Sequence, residues 1–501
     1  MPSSYIHISN ISFSYDKSIK PVIRNLSCQF EKGWTGIVGP NGSGKTTLLK
    51  IVTGIQDPDS GVLNLPSRTV YCEQRTDRIP CGVHEWLSDF RTPAMKLKSR
   101  LGIADNWINR WESLSHGERK RVQIGTALYQ QPDILALDEP SNHLDNEMKD
   151  MLFTALGVFR GIGLLVSHDR RFLDDLCGHT LYMDFTRTVL RKGGYTVVKA
   201  GLDNEKACQK HQFEIKKKQI RKLKAEVGRR KQKARSADHD RSKRHINRKD
   251  HDARSRMDLA RLTGKDAVEG NIYKKLNNQL ERLRKNQLDI GWEKPHMTGI
   301  RIQGASRGHG RILIHLPPAE LVTGLHHLVL PDLSVYNGDR IGLTGPNGSG
   351  KSTFLEYFVR NIPLPPHRVI YIPQEIGIDR SQQMIQDVRA LSRTGTGQVM
   401  TIIRRLGSDP ERVLTTGRPS PGELRKIMLA DGIRREPGII IMDEPTNHMD
   451  LPSVLCVGEA LRHCGCTLLL VSHDDIFLNQ ATQIRWCTER EKESRFVLRC
   501  Q

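Results

Sequence analysis

Three mostly apolar runs, Trp34–Val38, Ile134–Leu137 and Gly163–Val166, have the length and composition of short strands buried on both faces. Each is followed at once by glycine or polar residues, so their ends are the natural places for chemistry. Before them, Ile6–Tyr15 alternates apolar and polar positions as a half-buried strand should, and Thr47–Val52 has helical character. Val70–Gln74 predicts a further strand ending on Gln74. Trp107 and Trp111, four residues apart, predict the core-facing side of a helix. The second half repeats the theme with Gly438–Met442 and Cys466–Val471. None of these runs approaches the roughly 18 apolar residues of a membrane helix.

The middle of the chain follows another period. Phe213, Ile220, Leu223 and Val227, then Leu276, Leu280 and Leu283, recur at the threes, fours and sevens of helical apolar seams. Two paired antiparallel helices are expected, each of about 40 residues and therefore roughly 60 Å long. The mixed-charge stretch Lys249–Gly264 would form the tip.

Composition sharpens this division. A chain of 501 residues exceeds a single core and suggests a few domains. The formal charge of +21 is concentrated in the middle, where residues 205–294 hold 28 Lys and Arg against 13 Asp and Glu. Such an excess on a protruding helical arm points to phosphate contacts. The start, Met-Pro-Ser-Ser-Tyr-Ile-His, lacks the charged head and apolar block of a secretory signal. Ten scattered cysteines without framework spacing fit a reducing compartment, and Cys464-Gly-Cys466 is expected to be a pair of reduced thiols. A cytoplasmic location is expected.

The chemistry sits at the strand ends. Gly39-Pro40-Asn41-Gly42-Ser43-Gly44-Lys45-Thr46 matches the phosphate-binding pattern: glycine N–H groups wrap phosphates, Lys45 reaches the β and γ oxygens, and the Thr46 hydroxyl sits on Mg²⁺. Thr47 continues into the helix whose N-terminus faces the phosphates. Tyr15, 24 residues before Gly39, could stack on a base. The Gln74 amide oxygen could bind Mg²⁺ or hold an attacking water. Ser115 and Gly117, opening a helix with basic residues, could hold a γ-phosphate but need a partner to complete the site. Asp138 could hold Mg²⁺ and Glu139 polarise a water. His168 offers an imidazole to the same phosphate.

All of this occurs twice. The offset is 306 from Lys45 to Lys351, 305 from Ser115 to Ser420, from Asp138 to Asp443 and from His168 to His473, and 300 from Gln74 to Gln374. A near-constant offset across every motif means a duplicated domain. The second set is Gly345, Pro346, Asn347, Gly348, Ser349, Gly350, Lys351, Ser352 and Thr353, with Gln374, Ser420, Gly422, Asp443, Glu444 and His473.

The order of these motifs resembles the ATP-binding cassette ATPases. The resemblance implies an α/β fold of two P-loop cassette domains, at residues 1–203 and 296–501, joined by a basic α-helical hairpin linker at 204–295. It implies ATP and Mg²⁺ as cofactors, with Thr46, Gln74, Asp138, Ser352, Gln374 and Asp443 as the Mg²⁺ ligands, and Glu139, Glu444, His168 and His473 as the catalytic groups. It also implies head-to-tail packing in which each site joins one copy's phosphate loop to the other's signature. The copies depart from the family pattern unequally. His116 stands for a glycine in the first signature, Pro419 and Pro421 for leucine and glycine in the second, and Leu321 occupies the place of Tyr15, with His315, His326 and His327 nearby.

Two cassettes in one chain, a basic linker, no membrane domain, and Asn-His-x-Asp at 142–145 and 447–450 together resemble the ABC-F family. That resemblance implies an ATP-hydrolysing monomer that binds the ribosome, its ribosomal RNA and tRNA, and acts near the peptidyl-transferase centre. The absence of a long insertion between Gln74 and Ser115 is similar to the compact members that protect ribosomes from antibiotics. A general translation factor of the same family is the alternative. A soluble ATPase subunit of an exporter leaves the basic linker and both Asn-His-x-Asp motifs unexplained, whereas a DNA-associated ATPase would explain the charge but usually brings zinc-binding cysteine pairs or far longer coiled coils.

Overall fold

The apolar runs become the centre of two parallel sheets. In the computed structural model, residues 5–15, 21–65, 68–142, 144–184, 187–240, 267–288, 311–323, 326–408, 410, 420–447, 449–492 and 494–500 are described. The expected tip of the helical arm, Pro419, His143 and His448 lie outside them.

The first cassette has the strand order Thr69–Cys72, Ile134–Asp138, Ile162–Val166, Gly33–Val38, Cys177–Met183, Thr188–Lys192. The first five strands are parallel; the last pairs antiparallel with its neighbour. Ile134 to Leu137 and Leu164 to Leu165 are fully buried, as strands covered on both faces require. Tyr5–Phe13, the alternating segment, pairs instead with Ile23–Glu31 and Ser60–Leu63 in a separate antiparallel sheet.

The second cassette repeats the central order with Val369–Ile372, Ile439–Asp443, Thr467–Val471, Arg340–Thr344, Ile484–Lys492 and Arg495–Cys500. Here the hairpin Ala319–Thr323 and His326–Leu330 joins the same sheet, through parallel pairing of Leu328 with Phe496. Leu321 is therefore a half-buried strand residue paired with Leu328.

Parallel strands need long crossovers, and these are helices in both copies. The helices Lys45–Val52 and Lys351–Arg360 follow the phosphate loops, and His116–Tyr129 and Pro421–Arg434 precede the Asp-bearing strands. Trp107 and Trp111 are buried with Trp86 as the apolar spacing predicts. Their segment Asp105–Ser113 is a tight 3-10 helix with non-helical backbone at Arg110 rather than a regular α-helix. Arg121 lies over the Trp107 ring and Arg119 over the Trp111 ring, at 5.0 and 5.8 Å from their centres.

Cys464 and Cys466, read as free thiols from the sequence, are joined in a disulfide. Both are buried at the turn before Thr467–Val471, which brings their sulfurs together.

The chain divides into two compact units, Met1–Val198 with His296–Gln501, and Lys199–Pro295. The second contains the greater part of the 46-residue helix Tyr195–Asp240 and the 22-residue helix Ala267–Leu288. Phe213, Ile220, Leu223, Val227, Leu276, Leu280 and Leu283 all fall among the less exposed positions of these helices, with Val227 and Leu280 buried. The expected seams thus face away from water, while most of the lysines and arginines lie on the exposed positions.

Candidate functional sites

Each phosphate loop leaves the carboxyl end of a central strand and enters a helix, where backbone N–H groups converge on an anion. Gly39 and Gly345 sit where no side chain fits: a Cβ would come 1.9 Å from the Met183 carbonyl oxygen in one copy and 1.8 Å from Thr488 Oγ1 in the other. Lys45 Nζ donates to the Gly39 and Pro40 carbonyls at 2.8 and 3.1 Å, and Lys351 Nζ to those of Gly345 and Pro346 at 2.9 and 2.8 Å. Both lysines are buried, and burial pulls their pKa below the usual value against the pull of nearby carboxylates.

The Thr46 hydroxyl donates to Asp138 Oδ2 at 2.7 Å, and the Ser352 hydroxyl to Asp443 Oδ2 at 2.7 Å. Burial pushes both aspartates up in pKa, against the opposing pull of Lys45 on Asp138 and of Lys351 and Arg425 on Asp443. A hydroxyl and a carboxylate side by side, both hard oxygens, fit a Mg²⁺ that takes its remaining ligands from phosphate and water. Gln374 is half-buried and lines the same cavity as Ser352 and Asp443, whereas Gln74 is exposed. Tyr71, which the sequence did not single out, donates to Asp138 Oδ2 at 3.2 Å.

Glu139 and Glu444 follow these aspartates directly, and their N–H groups bond to the Val166 and Val471 carbonyls at 2.9 Å. Both have left-handed backbone, with φ 49° and 47°, a conformation non-glycine residues rarely adopt. His168 Nε2 comes within 2.9 Å of Glu139 Oε1, but out of line for a hydrogen bond, so both Glu139 oxygens are buried without hydrogen-bond partners. His473 Nε2 is farther from Glu444 Oε1, at 3.5 Å, and lies 3.1 Å from Asn347 Oδ1. Burial pushes Glu444 up to about 7, and burial with Lys351 and Lys149 pulls His473 down to about 3. The His473–Glu444 approach therefore involves a neutral imidazole and is no ion pair.

Ser115 and Ser420 cap the helices that follow them. In each case the Ser hydroxyl accepts from the third residue's N–H at 3.3 Å while that residue, Glu118 or Glu423, accepts the Ser N–H at 2.8 Å. Pro421 occupies the first helical position, where a missing N–H costs nothing. Its departure from the family pattern is thus compatible with an intact cap. Gly117 and Gly422 are buried in the first turn.

The two cassettes complete one another. Ser115, His116 and Gly117 of the first share a cavity of about 460 Å³ with Gly348, Gly350, Lys351, Ser352, Thr353, Asp443, Glu444 and His473 of the second. Asp450 accepts from the Asn41 N–H at 2.8 Å, and Asp145 from the Asn347 N–H at 3.4 Å. These aspartates close the Asn-His-x-Asp motifs, and the same offset that revealed the other pairs marks them, yet only the fold shows that they cross. A second cavity, of about 570 Å³, contains both His168 and His473, with Lys149 paired to Asp169 at 2.9 Å. Tyr15 lies on the surface with its hydroxyl 3.0 Å from Thr47 Oγ1, beside the first phosphate loop. In the second copy His326 packs edge-on against Phe496, His327 approaches Glu320, and His315 approaches Asp332.

Comparison with known proteins agrees with this geometry. A family model described as ABC transporter matches residues 23–142 and 330–447, one stretch in each cassette. The chain is similar to the ribosome protection protein VmlR of Bacillus subtilis (strain 168), at 26% identity over 95% of this chain and 85% of that one. It is 29% identical to the tylosin resistance ATP-binding protein TlrC of Streptomyces fradiae, over 94% of this chain and 95% of that one. It is also 24% identical to ABC transporter F family member 4 of Arabidopsis thaliana, over 97% of this chain and 73% of that one. Among solved structures, the archaeal ribosome recycling factor aABCE1, in complex with the stalk protein aP1, shares the fold with a TM-score of 0.60 at 19% identity, over 98% of this chain and 89% of that one. No helix among the described residues is long and apolar enough to cross a membrane. With a family-model match in each half and two phosphate loops each reached by a carboxylate of the opposite half, the chain carries two ATP-binding cassettes of an ATP-hydrolysing protein and is similar to the tandem ABC-F proteins.

Proposed function

We propose that this protein is a cytoplasmic, monomeric ATPase that binds the ribosome and acts on the tRNA and peptidyl-transferase region, in the manner of a ribosome-protection factor. The observation that carries the reading is the basic helical unit between the two mutually completing cassettes. Residues 199–240 alone hold 14 Lys and Arg against 6 Asp and Glu. A helix of that charge suits a nucleic-acid backbone, and the similarity to VmlR and TlrC supports the choice of the ribosome over other polyanions.

In this reading residues 1–203 and 296–501 are the engine and 204–295 the reach. ATP lies on the loop Gly39–Thr47 against Ser420 and Gly422, and on the loop Gly345–Thr353 against Ser115 and Gly117, with Tyr15 against the first adenine. Thr46 with Asp138, and Ser352 with Asp443, joined by Gln74 and Gln374, would hold Mg²⁺, which would supply positive charge to the phosphates. Glu139 and Glu444 accept a proton from the attacking water, for which the buried, unpartnered oxygens of Glu139 and Oε1 of Glu444 are suited. His168 and His473 orient the γ-phosphate and water.

The test is co-sedimentation with ribosomes over a range of salt concentrations. Replacing Arg229, Arg230, Lys231 and Lys233 together by Gln should weaken binding at least tenfold and flatten its salt dependence, with ATP turnover in free solution unchanged. Salt-insensitive binding of the parent, or partition to membranes instead of ribosomes, would overturn the reading. Translation assays with peptidyl-transferase inhibitors then separate protection from a general translation role.

A further inference from the structure

The two signature helices begin with identical caps but differ at their first helical residue, His116 in one and Pro421 in the other. His116 is half-buried, and its Nδ1 lies 3.1 Å from Thr76 Oγ1. Thr76 is itself only 2% exposed, so the ring is held from a fixed point in the segment after Gln74. The residue lines the cavity that contains Lys351 and Ser352 of the opposite cassette. The other titratable or charged groups of that cavity are Glu375, Asp443, Glu444 and His473.

An imidazole at a helix N-terminus, held by a buried hydroxyl and set opposite a phosphate-binding lysine, is placed to add a donor to an anion already favoured there by the helix dipole. A pyrrolidine ring at the same position can add nothing of the kind. We infer that His116 is a further nucleotide-contacting residue, whose side chain binds the terminal phosphate of ATP held on the Lys351 loop and makes that site the tighter of the two. Thr76 is its positioning residue. The inference rests on the assignment of the two ATP sites given above and adds a chemical reason for their inequality.

The experiment uses full-length protein carrying Glu139→Gln and Glu444→Gln, so that ATP with Mg²⁺ can be titrated calorimetrically without turnover. Adding Lys45→Ala leaves the Lys351 site, and adding Lys351→Ala leaves the Lys45 site. His116→Gly, which keeps the backbone N–H, should weaken ATP about tenfold where Lys351 is intact, the order expected for losing one charge-assisted hydrogen bond, and change nothing where Lys45 is intact. His116→Pro, which the cap at Pro421 shows to be compatible with the helix, should do the same. Unchanged affinity in both variants at the Lys351 site would overturn the inference, as would an equal loss at both sites, the mark of a merely structural role. If Lys45→Ala and Lys351→Ala each fail to remove one binding event, the site assignment itself falls, a result distinct from either.

Discussion

The two cassettes share their central strands, their Lys, Asp and Glu, and both capping boxes, yet differ in nearly everything that touches those groups from outside. In the first, Tyr15 stands beside Thr47; in the second the corresponding position, Leu321, lies on a strand of the main sheet, paired with Leu328. His168 approaches its glutamate to 2.9 Å, His473 only to 3.5 Å. Asp450 holds the first phosphate loop at 2.8 Å, Asp145 the second at 3.4 Å. The reacting oxygens are thus duplicated faithfully, while the groups that set affinity and closure have diverged. The difference teaches that a duplicated core can keep its chemistry while its surroundings diverge, and it predicts one reaction at two rates.

The strongest way to break this view is to remove the duplicated part. Glu139→Gln with Glu444→Gln should lower ATP turnover by at least a hundredfold while ATP binding persists, read by phosphate release and nucleotide binding. Turnover near the parent's would show that these carboxylates are not the bases. The single variants should then be unequal, with turnover or KM for ATP differing several-fold between them; superimposable kinetics would mean that the divergent surroundings are silent.

A finer test concerns the crossing aspartates. Asp450→Asn should weaken ATP-driven closure more than Asp145→Asn, because it removes the shorter charge-assisted bond, and the gap should be a few-fold in ATP affinity at the Lys45 site. Equal effects would indicate that the two crossings tighten alike when nucleotide binds. Smallest of all, Tyr15→Ala should weaken ATP at the Lys45 site by roughly three- to tenfold, the scale of one lost aromatic contact, with the Lys351 site untouched.

What could be read from the sequence was what chemistry keeps local. The phosphate loops, Asp138-Glu139 and Asp443-Glu444 are contiguous residues at strand ends, and a constant offset exposed their repetition. The crossing of Asp145 and Asp450 depends on how two halves pack, and no local pattern encodes it. The Cys464–Cys466 pair eluded composition because compartment statistics say nothing of a turn that aligns two particular sulfurs. Trp107 and Trp111 were legible as buried but not as a 3-10 turn, since a spacing of four fits several helical forms. Pro421 departs from the family pattern in sequence, yet it occupies the first helical residue and leaves the cap intact.

The left-handed backbone at Glu139 and Glu444 sets thermal robustness against function at the two positions least able to change. Glycine would relax either turn by roughly 1 kcal/mol and would also shed a buried carboxylate, one without a hydrogen-bond partner at Glu139 and one that accepts only from the His473 N–H, at 3.4 Å, at Glu444, so both substitutions should favour the folded state. Selection for heat resistance alone, in a population freed from the need to hydrolyse ATP, would therefore be expected to erode these two glutamates early. Their presence in both halves of one chain is what a working engine looks like to a melting curve: two places where the molecule is less stable than its own sequence neighbourhood would allow.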